Sequence, residues 1–323
     1  MKAVMERKKA PKRSRGAGST TPASGNALVA DGKRVSVTNL DKVLYPEVGF
    51  TKGQVIDYFI RIAPVVLRHV RDRPLTLKRY PNGVDKPFFY QKHCPEDRPE
   101  WVETAAVWSE QNQEEIRYCV ANNLPTLVWL GNLADLELHT SLARRENVDC
   151  PTMVMFDLDP GAPAAVLECA DVALWLKRVL DKLGLECFVK TSGSKGLQVC
   201  IPLNTPTNYD ATKTFAKKIA DSFEEQNPGL VVAKMNKELR KGRVFIDWSQ
   251  NDRHKTTVCV YSLRAMASPR VSTPLKWNEV EAAFKKKDAT KLSFLSDEVL
   301  RRVEKHGDLF APVLELKQKL PAL

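Results

Sequence analysis

Val154-Met155-Phe156-Asp157-Leu158-Asp159-Pro160-Gly161 is the stretch on which the reading of this chain turns. An apolar run ends in two carboxylates one residue apart, and Pro-Gly then breaks it. Strand side chains alternate, so Asp157 and Asp159 project from the same side of a sheet. Acids held that close repel, and a divalent cation with oxygen ligands, Mg²⁺ or Mn²⁺, is the usual relief. The same pattern also describes a strand end with solvated acids before a turn.

Outward from this stretch, residues 165–182 carry a helical pattern and 187–191 a strand, completing a strand–helix–strand unit. Residues 198–202 extend the sheet, 211–226 read as a helix, and 244–248 and 257–261 as strands. Upstream, Thr51 can cap a helix in which Val55, Ile56, Phe59, Ile62, Ala63, Val66, Leu67 and Val70 recur at helical spacing. Strand-like pieces follow at 75–80, 88–92, 116–121 and 136–140, with a helix over 125–135. Two further helical pieces lie near 277–287 and 297–305. The mixed order predicts an α/β (α+β) fold in a single compact, two-lobed unit.

Charge narrows the partners. The chain has 323 residues, with 50 Lys+Arg against 39 Asp+Glu, a net +11. Residues 1–34 hold nine basic and two acidic residues and almost no large apolar ones up to residue 30. The segment 1–34 is therefore expected to be a disordered basic tail, either an arm adding affinity for nucleic acid or a solvated bystander. A basic balance favours a polyanion, nucleic acid before a membrane surface. No run of apolar residues is long enough to span a membrane, and the first residues lack the apolar stretch of a signal peptide. Seven cysteines with no C-x-x-C pair read as reduced thiols in a cytoplasmic protein.

Further residues carry candidate chemistry. Asp247, in Val244-Phe245-Ile246-Asp247-Trp248, is a second acid on an apolar strand. Three strand-borne aspartates are what two-metal nucleotidyl transfer needs; a structural ion pair of Asp247 with Arg240 or Arg243 is the bland alternative. Lys190-Thr191-Ser192-Gly193-Ser194-Lys195-Gly196 is a small-residue turn after a strand, suited to cradling an anion with backbone N–H groups and a lysine, or else a flexible loop. It matches neither the Walker pattern nor G-x-G-x-x-G. His139 alternates with apolar residues, as structural histidines do. Phe88-Phe89 could stack on bases, although adjacent strand residues face opposite ways and at least one is expected in the core. Lys78-Arg79 and the basic run 237–243 supply charge for phosphates or form solvated faces.

Taken in order, the DLDPG, TSGSKGL and VFIDWSQN-x₃-KTT-x₃-YSLR strings resemble the polymerase domain of bacterial ligase D. That domain is a branch of the archaeo-eukaryotic primase superfamily acting in non-homologous end joining. The likeness spans residues 35–310, with 311–323 left as a helical extension. It implies a primase-polymerase fold with an RRM-like catalytic sheet, and two Mn²⁺ or Mg²⁺ ions held by Asp157, Asp159 and Asp247. It implies that His139, Ser192, Lys195, Gln250 and Arg264 contact the incoming nucleotide. Gln198 joins them as a departure, standing where many relatives carry histidine; it keeps hydrogen bonding but not a proton or charge. Phe88 and Phe89 are implied to stack near the paired bases, Lys42 and Lys52 to hold a 5′-phosphate across a gap, and Arg240 to touch DNA.

The implied function is template-dependent addition of nucleotides, ribonucleotides preferred, at gaps and broken ends near the bacterial nucleoid. The implied partners are gapped or broken DNA, NTP or dNTP, Ku and a separate ATP-dependent ligase, with no membrane. K-x-D-G is absent, so no nick-sealing domain is expected within these residues. A primer-making primase, a non-catalytic DNA-end or Ku-binding module and a metal-dependent nuclease stay open at this point.

Overall fold

The computed structural model describes residues 4–6, 26–110 and 112–322. Strands β1 (Val4–Glu6), β2 (Asn26–Ala30) and β3 (Lys33–Val37) pair antiparallel. Asp31 and Gly32, at φ of 47° and 73°, form the two-residue turn that matches the twist of a hairpin. Leu28, Ala30, Val35 and Val37 are buried in the same core as the first helix. Folded chain therefore starts before residue 35, which corrects the tail expectation over 26–34. Composition hid the Asp-Gly turn signal. The rest of that expectation, over 1–3 and 7–25, lies outside the described residues.

Helix α1 (Lys52–Val70) starts as expected at Thr51, whose hydroxyl accepts from Gln54 N while Gln54 Oε1 accepts from Thr51 N. Its apolar face packs in the core with α2 (Leu124–Asn132). Behind them β4 (Leu75–Arg79), β5 (Phe89–Gln91), β6 (Glu103–Ser109), β7 (Glu114–Val120) and β8 (Asp135–Thr140) build an antiparallel sheet. Cys94 and Cys119 are joined as a disulfide beside β7. The expectation of seven reduced thiols is corrected for this pair, because distant cysteines meet through strand pairing that spacing does not reveal.

The second lobe is a β-α-β-β-α-β unit: β9 (Met153–Pro160), α3 (Val166–Lys182), β10 (Phe188–Thr191), β11 (Leu197–Pro202), α4 (Tyr209–Gln226) and β12 (Val244–Asp247). The strands lie in the order β12-β9-β11-β10, antiparallel throughout. This is the RRM-like sheet that the motif order implied. Alternation along β9 decides the layout. Val154, Phe156 and Leu158 enter the core under α3 and α4, whereas Met153 and Met155 enter the core of the first lobe. The face of β9 that ends in Asp157 and Asp159 therefore looks between the lobes.

Strands β13 (Thr257–Val258), β14 (Leu263–Ala265) and β15 (Pro269–Val271) follow, with β13 joining the first lobe's sheet beside β8. Helices α5 (Trp277–Lys286) and α6 (Ser296–His306) close the chain. The helical extension expected over 311–323 is corrected. After a single 3₁₀ turn at Ala311–Leu314 the chain runs irregularly. There the Gln318 main-chain N–H donates to Leu203 O at 2.9 Å, a bond that takes it out of any helical ladder, and its side-chain amide donates to the carbonyls of Glu186 and Pro202. Among the described residues no helix is long and apolar enough to cross a membrane.

Candidate active site

Register assembles the site. Asp157 stands directly opposite Asp247 on one side and opposite Gln198 on the other, and Gln198 opposes Lys190. A row Asp247–Asp157–Gln198–Lys190 thus crosses four strands, and Asp159 sits one step further along the same face, as alternation required. Facing like charges in a ladder are destabilising. Burial, then Asp159 and Asp247, push the Asp157 carboxyl up to about 7, against Gln198 and Lys190. Asp159 is raised too, by burial and then by Asp247. Asp157 Oδ1 is buried and has no hydrogen-bond partner.

Lys190 is buried at the far end of the row. It donates to Gln198 Oε1, to the Val258 carbonyl at 3.1 Å and to Ser272 Oγ at 2.7 Å. Desolvation pulls its ammonium down to about 8. Gln198 in turn gives its Nε2–H to Thr257 Oγ1 at 3.1 Å. The glutamine that departs from the family pattern is therefore locked by a buried lysine. The sequence reading missed Lys190, which alternation alone cannot join to Gln198 without the register.

Asp247 is not ion-paired to Arg240 or Arg243. Its carboxylate accepts from Ser249 N at 3.0 Å, Ser249 Oγ at 2.5 Å and Gln250 Nε2 at 2.9 Å. Lys255 in turn donates to Ser249 Oγ. With the Asp247 oxygens so engaged, no group of three His, Cys, Asp or Glu side chains among the described residues closes into a cation cage. The unpartnered Asp157 oxygen and the carboxylate opposite it are nevertheless the donor set that suits a hard cation.

A cavity of about 210 Å³ gathers His139, Asp157, Asp159, Ser192, Gln198, Gln250 and Arg264. Glu137, also missed from sequence, anchors its opposite wall. The carboxylate receives Lys78 Nζ at 3.1 Å, the Tyr80 hydroxyl at 3.3 Å, Ala265 N at 3.1 Å and His139 Nε2 at 2.9 Å, with Arg264 at 3.5 Å. Burial raises the Glu137 carboxyl, but His139, Arg264 and Lys78 outweigh it and hold the group below the ordinary carboxylate range. Burial pulls the His139 imidazole below its ordinary range against the pull of Glu137; the neutral ring facing this carboxylate donates from Nε2 and leaves Nδ1 as an acceptor. The signal for Glu137 was its two-residue spacing from His139.

The remaining expected residues are not part of this lining. Lys195 lines an adjoining groove instead. Three backbone donors of the loop expected to cradle an anion are spent within it: Ser192 N donates to Gly196 O, and Ser194 N and Gly196 N donate to Ser192 Oγ. Neither phenylalanine is in the core, a correction. Phe88 stacks on Tyr80 at 5.0 Å with Lys78 over its ring, while Arg79 lies over Phe89. Both rings are close to half exposed because β5, which starts at Phe89 with Phe88 just before it, is an outer addition to β4. Arg240 packs on the Phe245 ring at 3.7 Å. A Cβ on Gly161 would fall 1.9 Å from the Arg240 carbonyl, so only glycine lets this loop reach the aspartate strand. Lys42 and Lys52 meet at the start of α1, where Lys52 N donates to Lys42 O. Lys42 Nζ bonds Asn82 Oδ1, whereas Lys52 Nζ is buried against the Asn132 carbonyl.

A family model described as the LigD primase-polymerase domain matches residues 51–310. The chain belongs to the LigD primase-polymerase family. The Multifunctional non-homologous end joining protein LigD of Mycolicibacterium smegmatis is 38% identical over 283 residues, 87% of this chain and 36% of that protein. The Bifunctional non-homologous end joining protein LigD of Bacillus subtilis is 31% identical over 279 residues, 85% of this chain and 43% of that protein. This chain thus spans well under half the length of these curated relatives. The polymerase domain from Mycobacterium tuberculosis ligase D, solved in complex with DNA, superposes with a TM-score of 0.81 at 36% identity. The match covers 88% of this chain and 99% of that one. The LigD primase-polymerase domain is a nucleotidyltransferase of polymerase type, and the two-lobed frame with its aspartate row is this chain's version of it.

Proposed function

We propose that this domain adds nucleotides, ribonucleotides in preference, to a 3′-hydroxyl on a DNA template, filling gaps and extending ends during end joining. The observation that carries the reading is Asp157 and Asp159 in one cavity with His139, Ser192, Gln198, Gln250 and Arg264, with Asp247 directly across the strand pair from Asp157. Asp157, Asp159 and Asp247 would hold two Mn²⁺ or Mg²⁺ ions, which supply activation of the hydroxyl and neutralisation of the leaving phosphates. Arg264 keeps a buried Nε–H without a partner, a donor available to the triphosphate. His139 offers Nδ1 to a hydroxyl of the nucleotide, held in place through Glu137. Phe88 and Phe89 present ring faces at the rim for base stacking. Lys42 holds a downstream 5′-phosphate, and Arg240 adds charge beside the loop. Ku and a separate ATP-dependent ligase are the partners we propose, since the relatives above are named for end joining.

The test is primer extension on a gapped duplex with a 5′-phosphate, run with ribo- or deoxynucleotides and with Mn²⁺ or Mg²⁺. The expected result is extension that needs the divalent ion, is faster with ribonucleotides, and stops at the end of the template. Loss of labelled DNA without nucleotides would establish a nuclease instead, and synthesis on a template lacking a primer would establish a primase.

A further inference from the structure

Lys190 ends the aspartate row, is buried, and does not line the aspartate cavity. It lines a small space of about 30 Å³ behind that cavity, together with Thr257 and Val258. Gln198, directly opposite Lys190, lines the aspartate cavity and not the space behind. Lys190 therefore reaches the reacting groups through Gln198 rather than by touching them.

An ammonium has three donors and no acceptor. Here all three are used, on Gln198 Oε1, the Val258 carbonyl and Ser272 Oγ. Ser272 Oγ gives its own proton to the Thr191 carbonyl, so it meets Lys190 as an acceptor. Val258 lies on β13, opposite His139, so the lysine is anchored to the first lobe beside another wall of the site. A side-chain amide donates from one end and accepts at the other, and turning it over changes its shape little. With a donor-only lysine on one side, the Gln198 oxygen must face Lys190. Its N–H groups then face Thr257 Oγ1, at 3.1 Å, and Asp157, which stands opposite and is hydrogen-bonded by this amide. The reversed amide would set N–H against ammonium and oxygen against the Asp157 carboxylate. An apolar side chain of similar length would fill the same space without desolvating a charge, so packing alone does not account for this lysine.

We propose that Lys190 is a positioning residue for nucleotidyl transfer, acting through Gln198, whose amide it holds in one orientation against Asp157. The proposal rests on the polymerase reading above and deepens it. Gln198 brings no charge of its own, so the cation at this end of the row is Lys190, one strand back from the cavity. Val258 and Ser272 keep that cation in place, and the glutamine carries its effect to the aspartates.

The experiment is steady-state primer extension on a 5′-phosphorylated gap with Lys190→Met, which nearly keeps the side chain's length and removes its donors. The kcat should fall about tenfold to a hundredfold, the cost of a misplaced group. KM for the nucleotide and affinity for gapped DNA should stay within about threefold, since Lys190 touches neither. A raised KM at unchanged kcat would overturn the proposal and make Lys190 a contributor to nucleotide binding. Because Lys190→Met strands the Gln198 oxygen, the double variant Lys190→Met/Gln198→Leu makes both partners apolar and guards the fold. It should extend no more slowly than Gln198→Leu alone, whereas multiplied losses would overturn the route through the glutamine. Hydrogen exchange gives a reading without catalysis. In the metal-free chain the Gln198 side-chain amide, assigned by ¹⁵N NMR against Gln198→Leu, should exchange at least about tenfold faster in Lys190→Met than in the wild type. Equal exchange would overturn the lock. A wild-type chain that extends no primer would strike the polymerase reading, which the exchange measurement does not depend on.

Discussion

The aspartates lining the cavity and Glu137, which holds the lining residues His139 and Arg264 from behind, are treated in opposite ways. Glu137 is surrounded by Lys78, Arg264, His139, Tyr80 and a backbone N–H, and is held ionised below its ordinary range. Asp157, one wall away, has two aspartates for neighbours and an oxygen without a partner, and is pushed up to about 7. A carboxylate that the chain itself neutralises is part of the frame. Carboxylates left short of positive charge are where the cations proposed above would sit. The contrast separates positioning from chemistry more sharply than burial does, since both groups are largely buried.

The largest expected effect tests the under-neutralised side. Asp157→Ala and Asp159→Ala should each lower primer extension at least about a thousandfold, the worth of several kcal/mol of charge stabilisation. DNA affinity, set by Lys and Arg contacts to phosphates, should hold in a gel-shift assay. Extension by either variant at a tenth of the wild-type rate would break the comparison, because Asp157 would then be no more chemical than Glu137.

The next effect is a difference of sign in stability. Glu137→Gln leaves the half-buried Lys78 and Arg264 without their counter-charge and should cost about 3 kcal/mol in urea unfolding. Asp157→Asn removes a like-charge pair and should stabilise the metal-free protein at pH 8 by about 1 kcal/mol. The pH limbs should differ as well. The Asp157 carboxyl lies above its ordinary 3.8, so the folded state keeps a proton that the unfolded chain loses. Its contribution is therefore present at acid pH and fades as pH rises through about 7. The depressed Glu137 behaves oppositely: its contribution is present above the ordinary 4.5 and is lost as pH falls below it. Urea midpoints in EDTA from pH 4 to 8 should lose the first slope in Asp157→Asn and keep it in Glu137→Gln. Destabilisation by both substitutions would erase the distinction.

The smallest effect extends the contrast to the two lysines at the start of α1. Lys42→Ala should weaken binding to a 5′-phosphorylated gap about tenfold and leave the 5′-hydroxyl gap unchanged. Lys52, buried against Asn132 and next to Thr38, resembles Glu137 in being spent on the frame. Lys52→Ala should accordingly lower the unfolding midpoint as well as the selectivity for the phosphate. Equal loss on both gaps for Lys42→Ala would make it a general charge.

Local pattern carried much of this. Alternation placed Asp157 and Asp159 on one face, Thr51 marked the start of α1, and helical spacing marked the cores of α1, α3 and α4. Those features depend on neighbours a few residues away, and a linear text records them. The Asp31-Gly32 turn was legible too, but was outweighed by the basic composition around it. The opposition of Asp157 to Asp247, the Lys190–Gln198 lock, the partners of Glu137 and the Cys94–Cys119 bond were decided by tertiary structure alone. Each requires strands far apart in the chain to pair in one register, and a shift of one residue would turn every side chain to the other face. Which carboxylate meets its cations inside the protein, and which is left short of them, is settled by that register.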